Sequence, residues 1–283
     1  MYNNKKPKYC GSTTALKVLK DVDLTGKTIL ITGTTAGIGR ETARSLALKG
    51  AHVVIANRNV NLSEELRDEI YKETSYRKID IIQLDLNSLA SVKHASEEYL
   101  SKGWPLNVLI LNAGVNKPPN RATKDGYEST FGVNHLGHFY LTYLLMNKLR
   151  ESAPSRLVVV SSDLHSRSGI KPSASLDEKL NKLIPNPPEE DIALGRGSQT
   201  FTSIVAFVSK PFTKNFEQGA ATTVYCAASP FAENESGRYY ADCNDAEKDL
   251  HKALARDESL QDALWSKSLE FIKKFERNNV THL

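Results

Sequence analysis

Residues 32–39 read Thr-Gly-Thr-Thr-Ala-Gly-Ile-Gly, between the apolar run Thr28 to Thr32 (TILIT) and a helix-like stretch from Gly39 to Leu48. A glycine-rich turn that leaves a strand and opens a helix is the context a dinucleotide-binding βαβ unit requires, the alternative being an ordinary strand-to-helix turn. Gly33 permits the tight turn. Gly37 lets backbone N–H groups approach a pyrophosphate, and Gly39 lets the helix pack closely on the strand. The helix N-terminus adds partial positive charge, so the turn is read as an anion cradle.

The pattern continues along the first half. His52 to Ala56 (HVVIA), Ile79 to Leu84 (IDIIQL), Val108 to Leu111 (VLIL) and Leu157 to Ser161 (LVVVS) are four further short apolar runs. Such runs read as strands buried on both faces. Between them, Leu62 to Glu73, Leu89 to Leu100 and Tyr127 to Arg150 are expected to be helices. Alternation of this kind predicts an α/β protein with a Rossmann-type, doubly wound parallel sheet. We expect an N-terminal extension over residues 1–24 and one domain over 25–283, with an irregular, insert-like segment at 163–200. That segment is rich in Ser, Pro, Asn and charge, and it shows no clear strand. Beyond it, TFTSIVAFVSKPF and Glu217 to Ala228 look helical, GRYYADC looks like one strand, and Asp245 to Phe275 looks like an amphipathic tail helix.

Composition narrows the class. No run reaches the ~20 apolar residues of a bilayer span, and the opening MYNNKKPKYC carries no apolar signal core. Cys10, Cys226 and Cys243 are too scattered for a disulfide framework or a zinc site, which suits a reducing, cytoplasmic setting. Net charge is +4 with the basic residues dispersed, so nucleic acid is not an expected partner. The second strand leads into Asn57-Arg58, where a free ribose 2′-hydroxyl would usually meet a carboxylate. Arg58 can instead pair with a 2′-phosphate, so NADP(H) is favoured over NAD(H), the alternative being an ordinary solvated surface arginine.

Five motifs in order resemble the short-chain dehydrogenases/reductases: the TGxxxGIG turn, Asp85 after the third strand, Asn112-Ala113-Gly114 after the fourth, Asn134 in FGVNHLGHFYLT, and VVVSS ending at Ser162. The resemblance implies that Gly33, Thr34, Gly37, Ile38 and Gly39 hold the pyrophosphate. Asp85 and Leu86 would border the adenine, and Asn112, Ala113 and Gly114 would line the cofactor cleft. It further implies that Asn134 kinks a helix and holds a proton-relay water, while Ser162 hydrogen-bonds the substrate oxygen. On local grounds alone, Asn112 and Asn134 could equally satisfy buried backbone groups, and Ser162 could cap a strand.

One departure matters. The family moves the hydroxyl proton with a tyrosine made acidic by a lysine four residues later, yet no tyrosine occurs between Tyr143 and Tyr225. Tyr2 with Lys6 has the spacing but precedes the first strand. The helix carrying that pair and the strand after it are also unmatched, so the fold is expected to lack one late helix and strand and to expose a sheet edge. Lys179, Lys182 and Lys210 remain without the tyrosine, and His165 is the candidate substitute base. Three readings follow: an oxidoreductase acting on a small lipophilic alcohol or carbonyl with impaired turnover, a catalytically silent NADP(H)-binding interaction protein, and a shortened splice product. Substrate identity and oligomeric state are not legible in the sequence.

Overall fold

The computed structural model describes residues 8–116, 118, 120–162, 168–187 and 214–280. Five parallel strands form one sheet: β1 (Thr28–Thr32), β2 (His52–Asn57), β3 (Ile79–Gln83), β4 (Val108–Leu111) and β5 (Arg156–Val159). Their spatial order is β3-β2-β1-β4-β5, so the winding reverses direction between β1 and β4. The register places Thr32 opposite Ala56, and Leu111 opposite Val159. All five strands therefore end on the same edge, and the crevice between β1 and β4 is the switch point where doubly wound sheets bind ligands.

Each strand is apolar on both sides because each side meets helices. On one face Ile29, Ile31, Val53, Ile55 and Ile110 pack with α1 (Ala15–Val18), α2 (Gly37–Ala47) and α3 (Val60–Glu73). Leu30, Val54, Ile82, Leu109 and Leu111 point the other way, onto α4 (Leu89–Ser101). The same face receives a rod made of a short turn α5 (Ser129–Phe131), a π-helical segment Gly132–Gly137, and α6 (His138–Glu151). The alternation follows the two-residue period of a strand. The doubly wound α/β architecture expected from the sequence is what the chain adopts.

Downstream lie α7 (Leu176–Leu183), α8 (Phe216–Gly219), α9 (Ala221–Ala228) and α10 (Glu258–Val280). Three expectations need correction. The supposed irregular segment contains α7, whose Ser175 and Glu178 form a reciprocal capping box. GRYYADC is not a single strand: Tyr240–Ala241 pairs antiparallel with Asn244–Asp245, because Asp242 and Cys243 take φ of 52° and 60° and reverse the chain. The tail helix starts at Glu258 rather than Asp245, since the Asp257 carboxylate accepts the Leu260 N–H at 3.1 Å and restarts the helix there. The run TFTSIVAFVSKPF, together with Tyr2, Lys6, His165 and Lys210, lies outside the described residues.

Among the described residues β5 is the last strand of the sheet. Leu157 is 43% exposed and Val159 65% exposed, on the face opposite the one where Val158 and Val160 touch the α2 and α9 core.

Candidate functional site

The turn from β1 into α2 is built by glycines, two of which leave no room for a Cβ. Gly33 has φ +72°, and a Cβ there would stand 2.6 Å from the Ala113 Cα. A Cβ on Gly39 would fall 2.1 Å from the Gly33 carbonyl oxygen and 2.3 Å from the Asn112 Nδ2. Gly37, with φ +60°, is different: its absent Cβ would meet only the Phe216 ring, at 3.8 Å. The turn is thus closed toward β4 and open in front of the helix. Ala36 caps α2 without any side-chain hydrogen bond, and the first turn carries no acidic residue.

Two clasps hold this turn. Asn57, buried at the end of β2, accepts the Thr34 N–H at 2.8 Å and donates to the Thr34 hydroxyl at 2.7 Å and the Ser63 hydroxyl at 2.8 Å. Thr34, expected among the cofactor-holding residues, is therefore fully buried, with its polar atoms turned to Asn57. On the other side Asn112 donates through Nδ2 to the carbonyls of Thr32 and Gly33, both at 2.9 Å. The Thr32 hydroxyl accepts the N–H groups of Asn112 and Ala113, each at 3.0 Å. The ends of β1 and β4 are in this way tied together, and Asn112, Ala113 and Gly114 flank the crevice.

Farther along the edge, Arg58 is exposed just past β2. Asp85 accepts the Asn87 N–H at 3.1 Å through Oδ1 and pairs with Lys124 at 3.1 Å through Oδ2, so both of its carboxylate oxygens are engaged. Leu86 is buried against the π-helical segment, where a Cβ on Gly137 would lie 2.8 Å from its carbonyl. Ile38 is exposed at the start of α2 and touches Gly219 of α8, which has no side chain to collide with it.

Asn134 sits in the π-helical segment and is exposed toward the crevice. Its Oδ1 accepts the Val115 N–H at 2.8 Å and its Nδ2 donates to the Val115 carbonyl at 2.9 Å. The side chain thereby grips the turn after β4. Ser162 is exposed at the same strand-end edge, three residues beyond Val159. Thr32, Asn57 and His138 are the site residues that sequence reasoning missed. Only Asn57 carried a visible signal, as an amide standing where a carboxylate was sought.

Two histidines lie behind the crevice. Burial pushes His135 down to about 4. Burial, with a smaller push from His135, takes His138 to about 4 as well. Both are neutral at pH 7.

These residues fit a dinucleotide. An uncapped helix N-terminus, open space in front of Gly37 and no nearby carboxylate in the first turn suit a pyrophosphate.

The fold and this turn define a nucleotide-binding α/β protein of the Rossmann type. The profile of the short chain dehydrogenase family matches residues 27–174. The WW domain-containing oxidoreductase of Pongo abelii is 38% identical over 95% of this chain and 73% of its own length. Retinol dehydrogenase 12 of Mus musculus is 34% identical, over 89% of this chain and 88% of its own. A crystal structure of an uncharacterized protein from Mycobacterium Paratuberculosis superposes with a TM-score of 0.59 at 26% identity, covering 93% of this chain and 98% of that one. The chain belongs to the short-chain dehydrogenase/reductase family. No described helix is long and apolar enough to cross a membrane.

Proposed function

We propose that this chain binds NADP(H) in the crevice between β1 and β4 and acts as an oxidoreductase on a small lipophilic alcohol or carbonyl, with slow turnover. The observation that carries the reading is the uncapped N-terminus of α2, opened by Gly37 and braced by the Asn112–Gly114 turn. Gly37, Ile38 and Gly39 would offer backbone N–H groups to the pyrophosphate. Asp85 and Leu86 would border the adenine, and Arg58 would meet a ribose 2′-phosphate through its planar fork. A bound nicotinamide supplies or accepts the hydride. Ser162 would donate a hydrogen bond to the substrate oxygen, and Asn134 would hold the neighbouring turn in place.

Turnover is slow in this reading because no tyrosine lies between Tyr143 and Tyr225 to exchange the hydroxyl proton. The relative named retinol dehydrogenase 12 supports a lipophilic alcohol as the substrate class. The cysteines Cys10, Cys226 and Cys243 are too scattered along the chain for a disulfide framework, which suits a reducing, cytoplasmic location in this reading.

Titration calorimetry with NADPH and NADH tests the reading, alongside turnover on retinoid, steroid and simple aldehyde substrates. Tighter binding of NADPH is expected, with the preference moving toward NADH in Arg58→Asp. An unchanged preference in that variant refutes the role given to Arg58, and absence of binding to either nucleotide refutes the function.

A further inference from the structure

His138 is 4% exposed at the start of α6, and both of its ring nitrogens are engaged. Nε2 lies 2.9 Å from the Thr32 hydroxyl, and Nδ1 lies 3.2 Å from the Asn134 backbone carbonyl. The hydrogen positions follow by elimination. A hydroxyl has two lone pairs, and those of Thr32 are taken by the N–H groups of Asn112 and Ala113. Its hydrogen must therefore go to His138 Nε2, which leaves Nδ1 to carry the ring proton and donate it to Asn134.

The result is a closed ring of contacts around the turn after β4. Thr32 holds the front of that turn, at Asn112 and Ala113. Asn134 holds its back, at Val115, through two hydrogen bonds. His138 joins the two holders, and it does so from a helix 106 residues away from Thr32 in the chain. Ala113 is also the residue against which Gly33 is packed, so a shift of the turn would move the floor of the glycine cradle.

We propose that His138 is a positioning residue that locks the Asn112–Val115 turn through Thr32 and Asn134, and thereby sets the affinity of the crevice for the dinucleotide. The role rests on the reading that this crevice binds NADP(H). A leucine at 138 would fill most of the volume but would leave the Thr32 hydroxyl without its acceptor and remove the ring contact to Asn134. The turn would then be held by two separate clasps rather than one ring.

The test is a double-mutant cycle in the dissociation constant for NADPH, measured by calorimetry on the full chain. His138→Leu is expected to weaken binding about tenfold, the effect of one lost buried hydrogen bond. In a Thr32→Val background the same substitution should change affinity less than about twofold, because the link is already cut. Thr32→Ser keeps the hydroxyl and should retain the full effect. A merely structural histidine would lower the melting temperature while leaving the NADPH constant and its coupling to Thr32 untouched, and that outcome overturns the role. If His138→Leu does not fold, the comparison passes to His138→Gln. Ring-nitrogen NMR shifts of the wild type add a second readout: Nδ1 protonated and Nε2 bare are required, and the opposite tautomer overturns the proposal. A wild type that does not bind NADPH refutes the proposed function and the role with it, whereas binding that survives His138→Leu unchanged refutes the role alone.

Discussion

Gly39 shows how little space the nucleotide turn leaves. One added methyl would collide with the Gly33 carbonyl and the Asn112 amide, both parts of the clasp between β1 and β4. Gly39→Ala should therefore cost about 1–3 kcal/mol of stability, the range for overpacking a tight contact. Urea denaturation checks this, and a midpoint equal to wild type would contradict the packing described. The buried histidines make a second prediction at this scale. Unfolded imidazoles titrate near 6.5, whereas in the fold His135 and His138 protonate only at about 4. Between those values the unfolded chain binds more protons, so stability is complete above about pH 6.5 and falls as pH drops toward 4. The slope is at most about 1.4 kcal/mol per pH unit for each histidine. Denaturant midpoints at a series of pH values measure it, and a flat profile from pH 7 to 4.5 would contradict the burial. The glycine turn was legible because its spacing between a strand and a helix carries the chemistry by itself, whereas Asn112 entered only through the family resemblance. Thr32 and His138 were not: their meaning lies in a contact that bridges 106 positions, and no local pattern announces it.

At the scale of elements, the sheet edge and α10 are the parts that differ most from a symmetric doubly wound sheet. Val159 on β5 is largely in solvent, whereas Ile110 on β4 is fully buried. Val159→Thr should change stability by no more than about 0.5 kcal/mol, and Ile110→Ala should cost about 2–5 kcal/mol. Equal costs in thermal or chemical denaturation would show that β5 is covered. Helix α10 is fastened by Glu276, which pairs with Lys93 of α4 at 2.8 Å and accepts the hydroxyl of the buried Tyr140. A second fastening runs from Ser268, whose hydroxyl donates to the Leu264 carbonyl and receives His135 Nε2–H. Glu276→Ala leaves the Tyr140 hydroxyl without its partner and should cost about 1–3 kcal/mol. Hydrogen exchange across 258–280 should accelerate in that variant, and unchanged protection would contradict the clasp. Strands and crossover helices of the first half were readable to within a residue or two, because apolar runs between amphipathic stretches admit one parallel arrangement. The later elements were harder. Helix α7 announced itself only through Ser175 and Glu178, and the start of α10 depends on Asp257, whose carboxylate also binds the buried Lys179 at 2.8 Å.

At the scale of the whole molecule, the five strand ends meet on one edge and bring residues from four βα connections to a single crevice. Fold class followed from the order of motifs along the chain. The substrate side did not, since the residues after Ser162 share no spacing that fixes a pocket. In the proposed function this sheet, ending at β5 among the described residues, folds and holds NADPH, and a thermal melt of the full chain with and without NADPH tests both at once. Binding to the native state alone adds about 2.7 kcal/mol at about a hundredfold excess over the dissociation constant, several degrees for a chain of this size. A single cooperative transition that moves upward by that amount, and moves less in Gly37→Val, is the predicted result. A broad transition that NADPH does not shift would contradict the account.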